Sequence, residues 1–379
     1  MQLPKVTRRA TSDADKSAAA QVYPCESCGA DLRFNPGQTR MVCDHCGHVQ
    51  DMPTATHRGE TGLSELALAP VLADGFPDVD IEDTRVLACP NCSAQIELGP
   101  DQHATECPFC ATPIVADTGP GRQFKPQGVM PFAINEAKAT AALSKWLKGR
   151  WFAPNGLADY ARKGRKMTGV YAPFWTFDAE TSTRYTGQRG DYYYETRTVT
   201  VNENGRAVQR QQQVRRIRWR SVSGHVARHF DDVLIYAARS LPEQHVANLL
   251  PWDLSGVAPY QGSYLAGFTA EGYTVELPQA HHQAQAKMVQ VIQSDVRRAI
   301  GGDAQRIGAM DPQFRDETFK HILLPIWSAA YRFRGTSYRF VVNGQTGAVS
   351  GDRPWSYWKI GFAVVAGAIV AAAAAYGLR

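Results

Sequence analysis

Eight cysteines lie between positions 25 and 110, and they fall into two identical sets. Cys25 and Cys28 are two residues apart, as are Cys43 and Cys46, with fourteen residues between the pairs. Cys89, Cys92, Cys107 and Cys110 repeat that spacing 64 residues later. Cysteines spaced this way sit on one tight turn with both sulfurs facing a single ion. Four thiolates then close a tetrahedron at about 2.3 Å and leave no open position for water or substrate. The spacing therefore predicts two structural Zn²⁺ ions, one per set of four cysteines. The flanks repeat too: Ala30-Asp31-Leu32 matches Ala94-Gln95-Ile96, and Phe34 matches Leu98, as in an internal duplication. His45, His48 and His103 lie nearby, but the thiolates already complete each site, so these read as surface residues.

A ribbon this small buries too little apolar surface to fold alone, so metal binding supplies its folding energy. Around the ribbons the expected plan is α+β, with two small N-terminal zinc ribbons, a mixed antiparallel-sheet and helix domain, and one C-terminal transmembrane helix. Residues 1–22 read as a disordered arm, 23–50 as the first ribbon and 51–86 as a loose or partly helical linker. Residues 87–115 read as the second ribbon, 116–131 as a Pro/Gly-rich linker, and 132–354 as the α+β domain. Within that domain Asn135 caps a helix through Leu147, and apolar residues recur at helical spacing from Pro278 to Ile300, where Gly301-Gly302 stops them. Tyr171–Phe177 reads as a short strand. Residues 181–230 alternate as a hairpin about Asn204-Gly205, and 321–342 read as a closing antiparallel meander.

The formal net charge of +5 counts every cysteine as neutral. Two four-thiolate zinc sites carry about −2 each, which brings the total to about +1. Basicity is thus no nucleic-acid signal for the whole chain. No Lys or Arg lies between Cys89 and Cys110, whereas Glu97, Asp101 and Glu106 do, so the second ribbon repels phosphate. The ribbons read as protein-binding or spacer modules, and nucleic acid is the disfavoured partner. Arg206, Arg210, Arg215, Arg216, Arg218, Arg220 and Arg228 cluster around Trp219. Of these, Arg215, Arg216, Arg218 and Arg220 are candidates for contact with an anionic surface, with a solvated sheet face as the plain alternative.

The opening twenty residues carry no apolar signal region, so the thiols are expected to stay reduced in the cytoplasm. No phosphate-binding loop, nucleophile elbow or His-Glu-x2-His motif occurs, so no catalytic residue is assigned. Asp231-Asp232, His281-His282 and Gly301-Gly302-Asp303 read as turns and helix ends.

Residues 355–379 read as a membrane tail. Ile360–Leu378 is 19 uncharged residues, about 28 Å of helix, flanked by Trp355, Tyr357, Trp358, Lys359 and Arg379. This places the protein on the cytoplasmic membrane as a single-pass chain with its N-terminus in the cytoplasm, and makes lipid or an acidic partner the preferred target of the arginines. Ala363, Gly367 and Ala371 at four-residue spacing would permit helix pairing and a homo-oligomer.

Several runs carry a family resemblance: Cys25-Glu-Ser-Cys28 through Cys107-Pro-Phe-Cys110, Tyr171-Ala-Pro-Phe-Trp-Thr-Phe177, Leu323-Leu-Pro-Ile-Trp327, and Val342-Asn-Gly-Gln-Thr-Gly-Ala-Val-Ser-Gly-Asp-Arg-Pro354. The chain resembles bacterial tandem zinc-ribbon, tail-anchored membrane proteins, often labelled primosomal protein N′ (replication factor Y)-like or TFIIB-type zinc ribbon-containing. The resemblance spans about 23 to 358. It implies a non-catalytic adaptor that works with SPFH/flotillin-like partners in envelope organisation or stress response, and it supplies no catalytic residue. The alternative is a zinc-ribbon nucleic-acid-binding protein related to replication or transcription. Ser93 and Ala111 stand where Gly29 and Gly47 follow the first ribbon's knuckles, a departure that alters the turn but keeps the ligands.

Overall fold

The computed structural model describes residues 23–38, 40–52, 63, 65–77, 81–97, 104–110, 112–115, 120–149, 167–203, 206–333, 336–352 and 357–377. The arm expected over 1–22, together with His103 and Ala111, lies outside them.

The first ribbon is a three-stranded antiparallel sheet of β1 (Leu32–Phe34), β2 (Arg40–Cys43) and β3 (Val49–Asp51). Between the ribbons lie β4 (Leu66–Ala67), a short helix α1 (Leu68–Asp74) and β5 (Ile81–Ala88). The second ribbon contributes β6 (Gln95–Glu97), β7 (Ala104–Glu106) and β8 (Pro113–Val115). The Pro/Gly-rich stretch after it holds β9 (Pro120–Phe124) and β10 (Gly128–Val129), both paired into the large sheet.

Next comes helix α2 (Glu136–Lys148), whose Asn135 side chain accepts a hydrogen bond from the Lys138 backbone N–H at 3.0 Å. Three long strands then make the spine of the molecule. β11 (Thr168–Glu203) runs 36 residues and pairs antiparallel with β12 (Arg206–Tyr236) along one edge. Smaller elements follow: α3 (Glu243–Asn248), β13 (Ala258–Pro259) and β14 (Thr269–Gly272). Helix α4 (Leu277–Ile300) leads into β15 (Ala304–Phe333), which pairs along the other edge of β11 as far out as Gly190. β16 (Thr336–Asn343), β17 (Val349–Gly351) and a C-terminal helix α5 (Tyr357–Gly377) complete the chain.

The core sits where β11 is covered on both faces, and residues 170–179 of that strand are all buried. On one face α4 lays Ala280, Ala284, Met288, Ile292, Val296 and Ile300 against Trp175, Phe177 and Phe319. Those positions recur every four residues, as one stripe of a helix requires. Further along the same face, by strand alternation, Phe132, Tyr171, Leu323 and Trp327 pack with Ala139, Leu143 and Leu147 of α2, while the opposite face takes Val170, Ala172, Phe174, Ile322 and Leu324 against Phe109 of the second ribbon. The strand expected as Tyr171–Phe177 thus continues through a bulge at Asp178 into the hairpin, and the meander expected from 321 begins at 304.

Among the described residues no helix is long and apolar enough to cross a membrane. The transmembrane helix expected over 355–379 is therefore corrected. With it go the tail anchor, attachment to a cytoplasmic membrane, and the single-pass topology with a cytoplasmic N-terminus. Eight residues of α5 are alanine and three are glycine, side chains with little or no apolar area to transfer out of water.

Candidate metal centres

Each ribbon builds its site from two knuckles closed by the same backbone bonds. Cys25 N donates to Ala30 O, Cys43 N to His48 O, Cys89 N to Ala94 O and Cys107 N to Thr112 O, at 2.7 to 2.9 Å. A second bond returns from the fourth residue on, with Gly29 N, Gly47 N and Ser93 N donating to the carbonyls of Cys25, Cys43 and Cys89. That residue needs a positive φ, and Gly29, Gly47 and Ser93 adopt 75°, 74° and 59°. Ser93 therefore keeps the glycine conformation and bears its strain; the sequence departure changes the energy of the turn rather than its shape.

The four sulfurs of each set lie within 4.8 Å of one another. Facing pairs stand at 3.6 Å (Cys25–Cys46), 3.5 Å (Cys28–Cys43), 3.5 Å (Cys89–Cys110) and 3.6 Å (Cys92–Cys107). A tetrahedron with metal–sulfur bonds of about 2.3 Å has edges of about 3.8 Å, so the donor set fits one tetrahedral, thiophilic ion per ribbon. Within each set one thiol is held low by its neighbours while a neighbour is pushed up, Cys28 to about 12 in the first and Cys107 well above its usual range in the second. The His48 backbone N–H, then the Cys28 side chain, hold the Cys46 thiol down to about 6. Cys107 chiefly holds Cys92 down to about 5 against its burial. His45 is exposed and His48 half-buried, and neither belongs to a cluster.

The two centres differ in their surroundings. In the first, Cys25 and Cys43 are buried but Cys28 and Cys46 face solvent. This ribbon docks through Phe34, whose ring meets Tyr264 at 5.3 Å and whose N–H donates to Ala266 O. In the second, Cys89, Cys107 and Cys110 are buried, and Phe109 between the last two is fully buried among Val170, Phe174, Leu324 and Trp252. β6 of this ribbon pairs with β14, and Ser328 Oγ donates to Pro108 O at 2.6 Å. The second centre is thus part of the main core.

A third turn copies the knuckle without sulfur. Asn343 N donates to Ala348 O, Gly347 N donates to Asn343 O, and Gly347 takes φ 79°. Asn343 Oδ1 accepts from Gln345 N and Thr346 N, the place a knuckle gives to a cysteine sulfur.

Among the described residues, the acidic group Asp178, Asp231 and Asp232 is the other cluster with metal-like spacing. Its cationic place is filled from within the chain. Lys320 Nζ lies 2.8 Å from Asp232, 3.1 Å from Glu65 and 3.8 Å from Asp178. Burial raises the Asp178 carboxyl, and Asp232 N donates to it at 2.5 Å. Sequence pointed to Asp231-Asp232 alone; Lys320, Glu65 and Asp178 are brought there by strand pairing. His281 Nε2 lies 2.6 Å from Glu317, and Gly301-Gly302 ends α4 as the sequence suggests.

A cavity of about 20 Å³ lies against the second ribbon, lined by Glu97, Gln123, Tyr260, Glu271 and His321 among others, with room for one water. Glu271 and His321 are buried, and Glu271 Oε1 and His321 Nε2 have no hydrogen-bond partner. Burial pushes Glu271 up to about 8 and His321 down to about 4. Nothing in their sequence neighbourhood marked either residue.

The arginine cluster falls on the outer hairpin. Arg216, Arg218 and Arg220 share one face by strand alternation and Arg215 takes the other. Arg220 pairs with Asp191 at 2.7 Å and Arg216 with Glu195 at 3.4 Å. Arg215 lies over the Tyr192 ring and Arg218 over Tyr193. The preference for lipid as their target rested on the membrane tail and falls with it.

No family model matches the chain, and no solved structure matches it. It is similar to the uncharacterized protein YdjG of Bacillus subtilis (strain 168), 25% identical over 343 residues, covering 89% of this chain and 91% of that protein.

Proposed function

We propose that the chain is a non-catalytic adaptor in which both metal centres hold Zn²⁺, the second fastening the core and the first presenting a protein-binding rim. The observation that carries this reading is the difference in exposure between the two otherwise identical knuckle pairs. Cys28 and Cys46 of the first ribbon face solvent, while Phe109 of the second is sunk in the sheet core. A closed tetrathiolate site offers no position for substrate, so an exposed one serves recognition. Glu26 and His45 stand on the exposed knuckles. The partner class to test is the SPFH/flotillin-like protein implied by the family resemblance.

The test is titration calorimetry of the zinc-loaded full chain against such a partner, with and without Glu26→Lys and His45→Ala together. A tenfold or greater loss of affinity, with two zinc ions retained per chain, is expected. Unchanged affinity in the double variant would remove the first ribbon from the interface and overturn the reading.

A further inference from the structure

β15 ends its pairing at Gly190, opposite Ala304, whereas β11 and β12 pair on to Glu203 and Arg206. The last thirteen residues of β11 and their partners on β12 thus form a bare two-stranded ribbon, roughly 40 Å long at about 3.3 Å per residue. Between Asp191 and Arg218 it carries six arginines, no lysine and three acidic residues, a net +3. With both zinc sites loaded the whole chain carries about +1, so the rest of the molecule is negative. The acidic second ribbon joins the sheet through β14, which pairs with β11 at Val170–Tyr171, some twenty residues from the base of the arm. That separation far exceeds a Debye length of about 8 Å, so the ribbon's repulsion of phosphate does not reach the arm.

The two faces of the arm differ. One bears Arg197, Arg210, Arg216 and Arg218. Its acids are shared, each between two arginines: Asp191 with Arg189 and Arg220, Glu195 with Arg197 and Arg216. Each cluster keeps a positive charge and a fixed guanidinium. The other face sets Gln209, Gln211 and Gln213 opposite Thr200, Thr198 and Thr196. Further in, Arg215 covers the Tyr192 ring at 4.4 Å and Arg306 covers Trp219 at 4.1 Å. Guanidinium groups therefore lie over aromatic surface that a protein interface would use as its apolar core.

We propose that this hairpin arm is a binding site for double-helical nucleic acid, laid along the major groove. That groove is about 12 Å wide and admits a two-stranded β-ribbon. Arginine forks match phosphate oxygens, and glutamine and threonine side chains suit base edges. The narrow, deep major groove of A-form RNA excludes such a ribbon, so the duplex is B-form DNA. This site lies on a different surface from the first ribbon's rim and does not depend on the adaptor reading.

The experiment is fluorescence anisotropy of the zinc-loaded full chain with a labelled 30-base-pair DNA duplex, from 50 to 200 mM salt. Each phosphate contact steepens the log–log salt slope by about 0.9, and engaging five arginines gives a slope of about −4.5. The Arg210→Gln, Arg216→Gln, Arg218→Gln triple variant should flatten that slope by about 3 and weaken binding at least tenfold. Arg184→Gln, on β11 inside the body of the sheet, should leave it unchanged. Should the triple variant lose its metal, Gln211→Glu with Gln213→Glu adds repulsion without removing any ion pair, and should weaken binding likewise. A duplex RNA of the same length should bind more weakly. No DNA binding, or equal binding by the arm variants, overturns the proposal. So does competition by polyglutamate as effective as that by unlabelled DNA, which would make the arm an acidic-protein surface. Glu26→Lys should bind DNA as the parent does, so loss of the adaptor reading and loss of this one are separable.

Discussion

Ser93 and His321 show how single residues carry energies the surrounding fold imposes. Ser93 holds φ 59° to close a knuckle that Gly29 and Gly47 close without a Cβ. Ser93→Gly should stabilise the protein by about 1 kcal/mol, the cost of a left-handed residue with a side chain, as read by chemical denaturation with zinc present. His321 is buried, donates through Nδ1 to Phe124 O at 3.0 Å, and is held by burial down to about 4. An unfolded histidine titrates near 6.5. Between pH 6.5 and 4 the unfolded chain takes up a proton that the folded one refuses, so stability falls across that window by up to about 3 kcal/mol and then levels. His321→Gln keeps a donor for Phe124 and should flatten this part of the stability–pH curve, whatever it costs in packing. An equally steep fall in the variant would assign the acid sensitivity elsewhere. At this scale the cysteines were fully legible, because metal ligation fixes both residue type and spacing. Lys320, Glu271 and His321 were not, since each acquires its surroundings from strands far away in sequence.

Among the elements, those with a local cause were readable: the Asn135-capped helix, the apolar stripe of α4, and the antiparallel pairing of β11 with β12 on either side of Asn204-Gly205, the turn itself lying outside the described residues. The continuity of the long strands was hidden by residues that usually interrupt a strand. Asp178 sits at a bulge where it accepts from Asp232 N, and Pro312 lies opposite Thr183 on a stretch of β15 where β11 is the only paired neighbour among the described residues. A proline is tolerated where no second neighbour needs its N–H. Gly187, Gly190 and Gly224 also lie inside these strands. At Gly224 the reason is visible, because the Tyr185 ring lies across it and a Cβ there would meet the phenol oxygen at 2.6 Å. Gly224→Ala should therefore cost about 1–3 kcal/mol by overpacking, with little change at the metal sites. A neutral result would show that Tyr185 can swing away. The tail misled for a simpler reason: absence of charge over Ile360–Leu378 suggested a membrane span, but much of that length is alanine methyl.

For the whole molecule the two centres should separate under chelation. The first has two exposed sulfurs and docks mainly through Phe34, whereas the second shares a core with Val170, Phe174 and Leu324. Graded chelator should remove one zinc with little loss of sheet signal by circular dichroism. Removal of the second should coincide with cooperative unfolding, because there the metal's binding energy is folding energy for the main domain. Simultaneous loss of both ions at one chelator concentration would contradict this division. The duplication visible in the sequence therefore does not imply two equal modules; the α+β domain has enclosed one copy and left the other at its surface.

The hairpin also has a mechanical side. β11 runs without a break from Thr168, under the buried core, to the tip at Glu203. Its ladder bonds to β12 and β15 stand perpendicular to the strand. A pull on the arm along its length therefore loads many of these bonds in shear at once instead of peeling them one by one. Tension applied at the tip would pass through the strand to Val170 and Tyr171, beside the second metal centre. A load on the arm would thus be borne by residues 170–179, all of them buried.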